Sequence, residues 1–114
     1  MNMCPPLNLL VFNALKEMFG DAFMDAVNNH TISALENIKQ IEIALDKNDA
    51  NAIELAAHSL KGASGQFGAM VLSKLAAEME QFGKDAAIDD AKIIFSELKK
   101  AREEAEKLMM QEIF

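Results

Sequence analysis

Asn51-Ala52-Ile53-Glu54-Leu55-Ala56-Ala57-His58-Ser59-Leu60-Lys61-Gly62-Ala63-Ser64-Gly65-Gln66-Phe67 is the stretch on which the fold turns. At about 100° per residue, Ile53, Ala56, Ala57, Leu60, Ala63, Ser64 and Phe67 gather on one side. This predicts an amphipathic helix. Asp49 or Asn51 can cap its start, and Asn51 has Glu54 three residues later, as in a capping box. The helix is expected to end near Gly65–Phe67, with Gly68 as a natural stop. A single apolar stripe of this kind must be buried against other elements.

The flanking sequence supplies them. Upstream, Phe23, Met24, Val27, Ile32, Leu35, Ile38, Ile41, Ile43 and Leu45 predict a helix over about 21–46. It would be roughly 39 Å long at 1.5 Å per residue. Asn28-Asn29-His30-Thr31 is its weakest stretch in helix propensity, where a kink or break would fall. Lys47-Asn48-Asp49 reads as a turn. Leu9, Phe12, Leu15, Met18 and Phe19 predict a shorter helix over 8–19 that caps one end of the molecule. Downstream, Leu72, Leu75, Ala76, Met79 and Phe82 predict a helix over 69–82, ended by Gly83. Asp85 or Asp89 then starts a last helix over about 87–111, with Ala91, Ile94, Phe95, Leu98, Ala101, Ala105 and Leu108 as its stripe. No useful length alternates with period two. The expected fold is all-α, an antiparallel four-helix bundle with a short extra N-terminal helix. Residues 8–114 form a single domain, and 1–7, with Pro5-Pro6, a flexible lead-in.

Composition narrows the possible functions. The chain has 114 residues, 51% apolar and 25% charged, which suits one globular domain and excludes wholesale disorder. Eleven basic against 18 acidic residues give a net charge of −7, which weighs against nucleic acid or an anionic membrane as partner. The single cysteine, Cys4, reads as incidental, and no Cys/His cluster nominates a metal. No apolar run approaches the ~20 residues of a membrane span. A cytoplasmic setting and a monomer are expected.

The face opposite the stripe is unusual. His58, Asn51, Leu55, Gly62 and Gly65 lie there, where a solvent face would carry Lys, Glu and Gln. Gly62 is in mid-helix, where glycine costs roughly 1 kcal/mol relative to alanine. Core packing does not explain it, which leaves close approach by something outside. Lys61 follows His58 by three residues and Gly62 by four, so an ammonium can reach the imidazole and the ground beside the ring is cleared. An exposed neutral imidazole with a nearby cation is suited to accepting a phosphoryl group.

The run His58-Ser59-Leu60-Lys61-Gly62-Ala63-Ser64-Gly65-Gln66-Phe67-Gly68-Ala69 resembles the signature of histidine-containing phosphotransfer (HPt) domains: a His, then Leu-Lys-Gly, and a Gly ten positions after the His. Ala57 and the Leu75–Glu80 run match as well. The resemblance implies a bundle whose exposed His58 carries phosphate on Nε2 between receiver-domain aspartates, or from a kinase domain. It also implies that Glu80, 22 positions after His58, accepts a hydrogen bond from Nδ1–H and orients the ring. Lys61 would stabilise the phosphoryl charge. Catalytic Mg²⁺ would belong to the partner receiver, with no cofactor on this chain. The docking face would include Leu55, Gly62, Gly65 and Gln66, with Phe12, Phe19 or Met24 as further apolar contacts. With no glycine-rich nucleotide loop, the chain should not phosphorylate itself from ATP. The expected partners are a response-regulator receiver domain, a hybrid histidine kinase, or both. Two other readings stay open: an adaptor that docks receivers without carrying phosphate, and a phosphoacceptor module of a larger hybrid or chemotaxis-type kinase. A start at Met1 and an end near Phe114 favour a freestanding protein. His30 reads as a plain surface or packing residue, Ser64 as a small packing residue with a helix-internal hydrogen bond, and the 99–104 stretch as an exposed face with Lys99–Glu103 and Lys100–Glu104 pairs.

Overall fold

The computed structural model describes residues 5–113. Five α-helices follow in order: α1 (Leu9–Phe19), a 3₁₀ turn at Gly20–Ala22, α2 (Phe23–Asp46), α3 (Ala50–Gln66), α4 (Met70–Lys84) and α5 (Ile88–Ile113). Helices α2 to α5, joined by short turns, form the antiparallel bundle, α2 packing on α3 and α5 and α4 on the same two. Ile41, Ile53, Leu60, Leu72, Met79, Leu98 and Met109 meet fully buried along its axis. Each such side chain contributes about 1.5–3 kcal/mol relative to exposure.

Helix α1 closes one end. The Asn8 side chain caps it by accepting from the backbone of Leu10 and Val11. The Asn8 amide donates to the Gly68 carbonyl at 2.7 Å, and the Phe12 ring meets Phe23 edge-on at 5.1 Å. Gly68 has φ +82°, and a Cβ there would lie 2.9 Å from the Asn8 carbonyl oxygen. The α3–α4 turn therefore needs glycine for its backbone and for the seat of α1. Residues 1–4 of the lead-in, Cys4 included, lie outside the described residues, while Leu7 is buried in the core.

Several local expectations are corrected. Helix α2 starts at Phe23, after the 3₁₀ turn, and runs unbroken through Asn28–Thr31. Burial of Val27, His30 and Ala34 outweighs the low propensity of that stretch. Of the two expected caps for α3, Asp49 is the one used, accepting from the Ala52 amide at 3.1 Å. Gly83 does not end α4, which continues to Lys84; it is a buried glycine inside the helix. Asp85 closes α4 instead of opening α5. Phe12 is fully buried and offers no exposed contact. On α5, Arg102 pairs with Glu106, while Lys99 lies over the Phe95 ring at 5.0 Å, so neither expected lysine pair forms.

Candidate functional site

The α3 stripe packs as its periodicity predicts: Ile53, Ala56, Ala57, Leu60, Ser64 and Phe67 are buried and Ala63 half-buried. The Ser64 hydroxyl has no hydrogen-bond partner, so the expected helix-internal bond is absent. The opposite face carries His58, its side chain 66% exposed, and Leu55, 63% exposed. A Cβ built on Gly62 meets nothing within 4 Å, so no contact inside the molecule accounts for that glycine. Gln66 is exposed. Gly65 departs from expectation: it turns toward α4, where a Cβ would lie 3.3 Å from the Ser73 hydroxyl. That hydroxyl donates to the Lys61 carbonyl.

Helix α4 runs back along α3 and brings Glu80 under His58. The carboxylate is only 9% exposed and has two partners: Oε2 lies 2.8 Å from His58 Nδ1, and Oε1 accepts from the Lys61 ammonium at 2.5 Å. Lys84, one turn further along α4, stands 4.0 Å from Oε2. The Lys61 hydrogen bond holds the Glu80 carboxyl below the usual carboxylate range; burial pushes the other way, and the His58 bond adds to the lowering. An ionised carboxylate can only accept, so His58 Nδ1 carries the proton. In the neutral ring the lone pair then lies on Nε2, the nitrogen not engaged by Glu80. Lys61 rests on Glu80, not free above the imidazole.

His30 offers no second candidate. It is 7% exposed, stacks on Phe67 at 4.5 Å, and its pKa is lowered by burial against an opposing pull from Glu106. It is a packing residue. Two features near His58 escaped sequence reading. Lys84 could have been found from its four-residue spacing to Glu80. The other is a groove between α2 and α3, lined by Ile43, Ala52, Leu55 and Ala56 together with Lys47 and Ser59. It requires knowing how the two helices face each other.

The family model of the Hpt domain matches residues 30–108, more than half of the chain. The chain belongs to the Hpt domain family. Hpt domains serve histidine phosphotransfer in two-component signalling, as phosphocarriers and not as kinases, and interact there with receiver domains and kinases. Among solved structures, the crystal structure of histidine-containing phosphotransfer protein B (HptB) from Pseudomonas aeruginosa PAO1 is similar, with a TM-score of 0.91, 24% identity and 96% of each chain covered. It supports the Hpt bundle as the fold. A search of curated proteins finds no match. No helix among the described residues is long and apolar enough to cross a membrane.

The electrostatics of this Hpt domain set a pH dependence. Because Glu80 holds its proton less tightly when folded, its contribution to stability is complete above the unfolded carboxyl pKa. It is lost as pH falls through the lower, folded value. Stability should decline from about pH 5 downward, and Glu80→Gln should reduce that slope. Urea midpoints measured from neutral to acid pH check this; an unchanged slope in the variant would remove Glu80 from the acid response.

Proposed function

We propose that this Hpt domain is a phosphocarrier that accepts a phosphoryl group on His58 Nε2 and exchanges it with an aspartate of a receiver domain. The observation that carries the reading is the exposed His58 ring held at Nδ1, 2.8 Å from a buried carboxylate, beside the open ground of Gly62. In the transfer, the Nε2 lone pair attacks phosphorus in line, the N–P bond forms, and the acyl P–O bond breaks to release the aspartate carboxylate. The ring keeps its Nδ1 proton and becomes cationic, and Glu80 stabilises that charge as it develops. Reversal returns the phosphoryl group. The Mg²⁺ and acidic pocket of the receiver supply the remaining charge compensation. Leu55, Gly62, Gln66 and the groove beside Ile43 form the receiver-docking face; exposed apolar side chains beside the reacting atom favour it.

The test is incubation with receiver domains charged by a small phosphodonor. Transfer of an acid-labile, base-stable label to this chain is expected; no transfer from any receiver of the same source overturns the reading. Lys61→Ala refines it. Lys61 flanks an exposed face, where substitutions usually change stability by under about 0.5 kcal/mol. Because it also partners the buried Glu80, the expected loss rises to on the order of 1 kcal/mol. Transfer should slow severalfold, since the ammonium held on Glu80 beside the ring is lost. Stopped-time labelling with a parallel urea titration checks both; full-rate transfer removes Lys61 from the chemistry.

A further inference from the structure

At Gly83 the α4 backbone lies directly against the start of α3. A Cβ there would stand 2.7 Å from the Glu54 amide nitrogen, 2.9 Å from the Glu54 Cα and 3.0 Å from the Ala50 carbonyl oxygen. All three are main-chain atoms, so no side chain can turn aside to make room. The backbone at Gly83 is ordinary right-handed helix, which alanine would favour by about 1 kcal/mol. Close approach is the remaining reason for a glycine. Glu80 lies three residues earlier on α4, about 4.5 Å along the axis. Beyond Glu80, the Gly65–Ser73 contact and the bond from Ser73 to the Lys61 carbonyl hold the two helices together again. The His58–Glu80 pair therefore sits between two close contacts.

We propose that Gly83 is a positioning residue for His58: by letting α4 rest on the α3 main chain, it keeps the Glu80 carboxylate within reach of Nδ1. The proposal rests on the reading of His58 as phosphoacceptor. Ordinary contact begins at 3.4 Å, so a Cβ now 2.7 Å from the Glu54 nitrogen needs an outward step of about 0.7 Å. The same step carried to Glu80 stretches the 2.8 Å bond to about 3.5 Å, the limit of a hydrogen bond. The ring then loses the partner that fixes its proton on Nδ1.

The experiment is ¹⁵N NMR of the imidazole in the full chain, with His58 signals assigned by their absence in His58→Gln. In Gly83→Ala the ratio of Nδ1–H to Nε2–H tautomer should fall about tenfold, the effect of losing one hydrogen bond to a charged group. Labelling by a phosphorylated receiver should slow severalfold. Leu98→Ala, a cavity in α5 away from the site, is the control for lost stability; it should keep the tautomer ratio of the parent. If Gly83→Ala does not fold in buffer, the spectrum is taken with trimethylamine N-oxide, which favours the compact state. A folded Gly83→Ala with the parent's ratio overturns the proposal. So does a variant that stays unfolded with the osmolyte, because the glycine is then a packing requirement only, and so does an equal change in Leu98→Ala. If the parent takes no label on His58, the phosphocarrier reading fails, while the tautomer comparison still decides the role of Gly83.

Discussion

His58→Gln should fold like the parent and accept no phosphoryl label from any receiver. The glutamine amide can still donate to Glu80, so the buried carboxylate keeps a partner and the bundle keeps its stability. The nucleophilic nitrogen is gone, since an amide nitrogen has no free lone pair to offer. His30→Gln is the matched control. His30 is buried, so its loss should perturb packing and leave labelling in place. Phosphate on the His58→Gln chain would sink the assignment, and a label lost only with His30 would move it. A receiver that binds His58→Gln as tightly as the parent would show that docking is separable from transfer.

Gly62→Gln should separate stability from function just as sharply. Nothing lies within 4 Å of a Cβ at Gly62, so a methyl group there meets no steric penalty. Gly62→Ala should then raise the unfolding free energy by roughly 0.5–1 kcal/mol. Glutamine keeps most of that gain but fills the space beside His58, four residues back on the same face. Transfer from a receiver should fall by an order of magnitude or more, as expected when a group obstructs docking at the reacting atom. Labelling by a small phosphoramidate should fall far less. Normal receiver transfer in a folded Gly62→Gln would mean that no partner passes over this turn. An unfolded variant would mean that the glycine is needed by the fold.

How much of this was legible in the sequence depends on whether one helix or two decide the matter. The α3 stripe and the outward placement of His58, Leu55 and Gly62 follow from spacing within a single element. Spacing alone reads Gly83 as a terminator, because its neighbour, the backbone of Glu54, comes from another helix. Gly65 was placed on the outer face for the same reason: its position on the helix wheel is right, but α4 leans over that edge and puts Ser73 against it. The α3 cap stays open between two residues in the sequence. Asp49 and Asn51 are both competent caps, and the choice falls to Asp49 because the chain leaves its left-handed turn at Asn48 directly into the helix. The family resemblance implies the Glu80 contact to His58 but not the Glu80 bond to Lys61. Periodicity has no means of saying where a flexible ammonium comes to rest.

The Glu80 carboxylate shared between a ring and an ammonium bears on what kind of signalling element this is. On the proposed reading, a phosphoryl group on Nε2 would make the ring a cation with a stronger claim on the carboxylate. Lys61 would then be released toward the incoming negative charge. One exchange of partners among three side chains would absorb the new charge without moving a helix. Loading should therefore leave the backbone almost silent: amide shifts change over the turns holding His58, Lys61 and Glu80 and nowhere else, and the melting temperature barely changes. On that reading the molecule would report its state only by handing the group on, with no change of shape to announce it.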